Sequence, residues 1–121
     1  MRNYTDLRVW DEAHRPTLAI YKDTRAFPNE ERFGLISQIR KSSCSIGANL
    51  AEGCGRRSDG EMARYVQIAM GSGSELSYHL FLARDLGFLA DDEYSNLNLS
   101  LERVMKMLSA LSGRLRNAHA A

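Results

Sequence analysis

Charge of one sign, long apolar runs, cysteine and metal-spaced histidine are all scarce in this chain, and each scarcity excludes something. The 16 Lys and Arg against 15 Asp and Glu leave a net charge of +1. No global basic field draws nucleic acid to the protein, so only local patches could do so. No apolar stretch is long enough to span a bilayer. The opening residues, Met1-Arg2-Asn3-Tyr4-Thr5-Asp6, lack the apolar core of a secretion signal. A cytoplasmic protein with no membrane partner is expected.

The two cysteines, Cys44 and Cys54, lie ten positions apart. On one helix that is roughly 15 Å of rise, beyond the reach of a disulfide, and the spacing is not a zinc pattern. Both read as small packing residues that happen to carry sulfur. His14, His79 and His119 are scattered and form neither HxxxH nor HExxH. Neither a metal nor another cofactor is expected.

What is present fits one soluble domain spanning residues 1–121. Hydrophobic residues make up 44% and charged residues 26%, ordinary values for a chain able to bury a single core. Four helices are predicted, over about 6–26, 30–54, 58–86 and 91–116. Asp6 is a suitable N-cap for the first, in which Leu7, Trp10, His14, Thr17, Leu18 and Tyr21 recur at helical spacing. Pro16 should kink or interrupt it near Glu12 to Arg15. The second follows Pro28-Asn29, with Glu30 and Glu31 in its first turn. Ser58-Asp59-Gly60-Glu61 is a capping box for the third, and Gly87 its stop. Asp91 caps the fourth, where Tyr94, Leu97, Leu101, Val104, Leu108, Leu111 and Leu115 form a heptad seam. Its end frays beyond Arg116.

The second helix carries no charge between Lys41 and Glu52. Stepped at about 100° per residue it resolves into three stripes. Ile36, Ile39, Ser43, Ile46, Leu50 and Gly53 form an apolar and small seam. Gln38, Ser42, Ser45, Asn49 and Glu52 form a polar stripe. Ser37, Lys41, Cys44, Ala48, Ala51 and Gly55 form a third, of mostly tiny side chains. The third stripe reads as a helix-packing face, with a tolerant surface stripe as the alternative. In the third helix the only formal charge between Tyr65 and Ala83 is Glu75, and apolar side chains fall all around the wheel. Such a helix is expected to be buried. Two helices without a charged face in so small a bundle imply a subunit interface, hence a closed homo-oligomer. Gln38, Ser45, Asn49, Glu52, Ser72 and Glu75 are then polar residues of the core or the interface, and Cys44, Ala48 and Ala51 the small packing residues.

Several segments carry a family resemblance. Leu7-Arg8-Val9-Trp10 with Ala13 and Tyr21, Phe27-Pro28, Glu31-Arg32-Phe33-Gly34-Leu35, Ser37-Gln38-Ile39-Arg40, Ser45 to Gly53, and Gly71-Ser72-Gly73-Ser74-Glu75-Leu76 are the segments concerned. Together they resemble the bacterial four helix bundle protein family, also called the 23S ribosomal RNA intervening-sequence or S23 ribosomal protein family. The resemblance implies an all-α, up-down-up-down bundle assembling into a homopentameric ring, with no enzymatic activity. A related branch is the accessory variability determinant of diversity-generating retroelements, a pentamer that binds nucleic acid and a reverse transcriptase. The chain departs from the pattern at Pro16, Cys54, Met70 and Gly73.

Two functions are carried forward. One is a pentameric nucleic-acid-binding accessory protein, touching RNA or DNA through Arg40, Lys41, Arg56, Arg57 and Arg64 as a basic rim repeated by symmetry. No aromatic interleaving of a base-stacking kind is visible beside these cations. The other is a protein-interaction scaffold without nucleic-acid contact, recruiting a partner such as a reverse transcriptase. An enzyme is the least favoured reading. No nucleophile or histidine stands at matched spacing to Glu52 and Glu75. A di-metal bundle needs Glu-x-x-His, whereas Glu75 and His79 are four apart.

Overall fold

The computed structural model describes residues 2–120, and only the backbone of His119 and Ala120; the His119 side chain, read above as an isolated histidine, lies outside the described residues. Four α-helices make up the chain, with no strand among the described residues: α1 Arg8–Asp23, α2 Leu35–Cys54, α3 Asp59–Asp85 and α4 Asp91–Ala120. Short 3-10 turns sit at Tyr4–Asp6, Thr24–Ala26 and Asn29–Glu31.

Contacts between the helices give their directions. Trp10 lies over Gly47, the Thr17 and Ser43 hydroxyls meet at 2.7 Å, and Arg40 stands over Tyr21. Residue numbers therefore rise in α1 as they fall in α2. Gly53 meets Tyr65 and Met62, and Ser45 meets Ser72, so α2 and α3 are antiparallel too. Phe81 packs edge-on to Tyr94 and Gly73 faces Met105; Arg103 approaches Glu12 at 3.7 Å. Each helix packs on two neighbours, and α4 closes the circuit on α1. This is an up-down-up-down bundle.

Helix ends follow local chemistry. The Ser58 hydroxyl accepts the Glu61 amide at 3.1 Å, starting α3 as the capping box predicts. Gly87, at φ +80°, ends it. The Phe88 amide reaches the Ala83 carbonyl and the Gly87 amide that of Arg84, both at 2.9 Å, the two bonds of a Schellman turn.

Other ends differ from expectation. Asp6 closes a 3-10 turn capped by the Asn3 side chain, and α1 begins only at Arg8. Pro16 does not interrupt α1, which is continuous through it; the proline merely withholds one amide from the ladder. Glu30 and Glu31 fall in a 3-10 turn, because non-helical Gly34 separates them from α2. Glu31 still serves that helix from outside, accepting the Leu35 amide at 3.1 Å. Ala90 rather than Asp91 occupies the cap of α4, and the Glu93 carboxylate reaches back to the Ala90 amide at 2.9 Å. That helix continues to Ala120, past the Arg116 end expected.

The core is the heptad seam of α4 closed by the apolar seams of the other helices. Leu97, Leu101, Val104, Leu108, Leu111 and Leu115 are buried, with Ile20, Ile39, Leu50, Met62, Val66 and Leu80 opposite them. Gly73 lets α4 come close: a Cβ there would collide with Met105 Sδ.

Candidate functional site

The most informative surface runs along α2. Its third stripe faces away from the core, and Ser37, Lys41, Cys44, Ala48 and Gly55 are all exposed while Ala51 is half-buried. Larger residues of α1 stand along one side. Trp10 and His14 stack at 4.7 Å, and Tyr4 meets Trp10 edge-on at 5.0 Å. The Tyr21 hydroxyl reaches Cys44 Sγ at 3.3 Å. That hydrogen bond, with burial, pushes the Tyr21 hydroxyl above the ordinary phenol range, against the opposing pull of Arg40. The small stripe thus forms the floor of a trough.

The polar stripe of α2 lies beside it, along the outer edge of the α2–α3 seam. Ser45 and Ser72 hydroxyls meet at 2.8 Å. Asn49 donates to the Ser45 carbonyl at 2.8 Å and to its hydroxyl at 2.9 Å. Ser42, buried, returns its hydroxyl to the Gln38 carbonyl at 2.8 Å, while the Gln38 side chain is exposed. The structure places neither Glu52 nor Glu75 in the core: both are exposed. Glu52 pairs with Arg56 at 3.0 Å one turn on, and Glu75 makes no ion pair among the described residues. A carboxylate at these outward positions keeps its hydration, so neither needs the buried partner foreseen for it. Nearby, His79 Nδ1 is buried without a hydrogen-bond partner.

The five cations expected to form one rim are split. Arg40 lies in the second turn of α2 and Arg56 just beyond its far end, so the helix separates them by roughly 20 Å. Arg40 is tied down: its Nε donates to Thr24 Oγ1 at 2.9 Å, a terminal nitrogen donates to the Tyr21 carbonyl at 3.2 Å, and its guanidinium covers the Tyr21 ring. Arg56 is tied to Glu52 and to the Tyr65 hydroxyl at 2.7 Å. Lys41, Arg57 and Arg64 are exposed and make no ion pair among the described residues. Arg56, Arg57 and Arg64 share the α2–α3 end of the bundle with Arg2, which bridges to Asp59 at 2.8 Å.

Two surface features stand out, and only the second escaped the sequence reading. The apolar wheel of α3 is not buried by its own bundle: Ile68 is 42%, Tyr78 61% and Phe81 44% exposed. Its two neighbouring helices, α2 and α4, cover chiefly the stripe Met62, Val66, Ala69, Gly73, Leu76 and Leu80. In addition, Phe33 is 89% exposed beside Arg32, whose guanidinium lies 5.5 Å from the ring. With Tyr21, Arg40 and Lys41 these residues line a groove of about 750 Å³ on the α1–α2 side. Aromatic rings and cations are therefore brought together, although they are dispersed in the sequence. The adjacent Arg32-Phe33 pair was the one signal available.

The profile of the 23S rRNA-intervening sequence protein family matches residues 5–110. The chain belongs to this family. A solved member-like structure agrees with the fold: a protein with unknown function from the S23 ribosomal protein family of Bacteroides thetaiotaomicron. It superposes with a TM-score of 0.79 at 25% identity, over 86% of this chain and 97% of that one. No curated protein matches the chain. Among the described residues, no helix is long and apolar enough to cross a membrane.

The structure accounts for the departures from the family pattern. Gly73 is offset by Met105, which fills the space a side chain would take. Cys54 is 1% exposed, and burial pushes its thiol up, against the pull of Arg2. Met70 is half-buried against the core and offers no charge to a partner.

Proposed function

We propose that this member of the 23S rRNA-intervening sequence protein family is a non-enzymatic subunit of a homopentameric ring. In this reading it acts in the cytoplasm as a nucleic-acid-binding accessory factor. The observation that carries the assembly is a small-floored trough on α2 in a subunit that also leaves Ile68, Tyr78 and Phe81 exposed on α3. Apolar side chains of this size on adjoining faces mark an interaction surface. Burying them at about 25 cal/mol per Å² is the driving force available.

Nucleic-acid contact rests on the α2–α3 end. Arg57 and Arg64 extend into solvent there, beside Arg56 and Arg2. Repeated around a ring, even weak phosphate contacts sum to useful affinity. Contacts of this kind are sequence-independent and fall with salt. The scaffold reading, with a protein such as a reverse transcriptase as partner, draws on the internal engagement of Arg40 and Arg56, which reduces the cations at hand.

A mobility-shift titration with RNA and DNA separates the two. Binding at low ionic strength that weakens as salt rises supports the accessory factor. Arg57→Glu with Arg64→Glu should then lower both affinity and the salt slope. Clean protein with no shift at low salt favours the scaffold.

A further inference from the structure

The two unpartnered faces of the subunit differ in shape and in charge. On the α1–α2 side the surface is concave. The groove of about 750 Å³ has Cys44 and Ala48 in its floor, Tyr21 and Phe33 in its walls, and the cations Arg32, Arg40 and Lys41 with no carboxylate among its lining residues. It runs into a second hollow of about 300 Å³ that shares Cys44 and Ala48. On α3 large side chains stand exposed on the outward face. Tyr78 is its most exposed large apolar residue, at 61%. Glu75 stands one turn before it, exposed, and is the only formal charge from Tyr65 to Ala83.

We infer that the Tyr78 face of α3 in one subunit seats in the α1–α2 groove of the next, with Glu75 against the groove's cations. The inference rests on the assembly reading above and specifies its contact. A single aromatic anchor in a small-floored pocket is the usual centre of a protein interface. The cationic groove and the acidic ridge fix orientation. The contact specified is head-to-tail, each subunit offering its groove to one neighbour and its ridge to another, and it forms a ring where its rotation closes. It also explains why Phe33 and Tyr78 are left open on the isolated subunit.

The native Cys44 supplies the test. Tyr78→Cys puts a second exposed thiol on the ridge, while Cys54, 1% exposed, stays out of reach. Diamide takes up the two electrons and two protons released when two thiols join. Circular dichroism of the variant, whose changed residue lies outside the core, confirms the fold. The expected result on a non-reducing gel is a ladder of covalent multimers ending at the closed ring. Reductant should collapse it, and the Tyr78→Cys, Cys44→Ser double variant should not form it. Wild-type protein that assembles by light scattering, while oxidised Tyr78→Cys gives only monomer or stops at dimer, overturns the contact and leaves the assembly reading standing. Monomeric wild type overturns both. So does a monomer whose Cys44 an oligonucleotide shields from alkylation, since nucleic acid would then occupy the groove.

Discussion

The Ser45 and Ser72 hydroxyls meet at 2.8 Å across the α2–α3 seam, and Asn49 donates to both the carbonyl and the hydroxyl of Ser45. One small side chain therefore joins two helices and orders a third residue. It sits at the edge of the apolar core, where neighbouring groups are half-buried and a lost partner is felt.

Ser45→Ala removes one of two partners from each of Ser72 and Asn49, which keep the Ile68 and Ser45 carbonyls. It should lower unfolding stability by about 0.5–1.5 kcal/mol, read from the midpoint of a urea titration. Ser72→Ala should do less, because Asn49 keeps the Ser45 oxygen. A double-mutant cycle with a coupling energy near zero would contradict the shared network.

At Gly73 the expectation is steric. Gly73→Val drives a side chain into Met105 and should destabilise by about 1–3 kcal/mol through overpacking. Met105→Ala in the same chain should recover part of that loss, since the thioether is the colliding group. Additive losses would mean that the close approach of α3 and α4 has another cause.

Asp23 sets a pH dependence. It sits in the last turn of α1, and burial together with the neighbouring Glu93 pushes its carboxyl above the usual carboxylate range, with Lys22 opposing. The folded state thus holds the proton more tightly than the unfolded one. Its contribution is most favourable below the unfolded value and is lost as pH rises through the raised folded value. Asp23→Asn should therefore raise Tm at neutral pH and leave it nearly unchanged in acid below that range. The anionic side chain near a helix C-terminus argues the same sign.

The small stripe separates folding from assembly. Ala48 is exposed on the subunit, so Ala48→Trp should change subunit stability by no more than about 0.5 kcal/mol. The same change should break the oligomer, visible as a later elution volume. A variant that loses stability yet keeps its assembly would place Ala48 inside the bundle instead.

Much of this architecture was legible because its signals are local. The α4 heptad, the Ser58 cap and the Gly87 stop each depend on a few neighbouring residues. The start of α2 was not, because Gly34 breaks the helix through its own backbone angles while Glu31 caps from beyond the break. The wheel of α2 separated the buried apolar seam from the exposed small stripe, while Ser42 of the polar stripe is buried with the seam. The wheel could not say which side of the polar stripe looked outward, since a charge-poor helix gives no marker for water. Glu52 and Glu75 were accordingly expected at a core or interface, and the fold sets both outside the core. The aromatic-cation groove was hidden because Tyr21, Phe33 and Lys41 come from three different segments.

The central claim is that this bundle is one unit of a closed ring, and mass decides it. Light scattering coupled to size exclusion at micromolar concentration should give about five times the 13.6 kDa subunit. A monodisperse monomer at that concentration would contradict the account, because the trough of α2 and the ridge at Tyr78 would then face water with nothing to cover them.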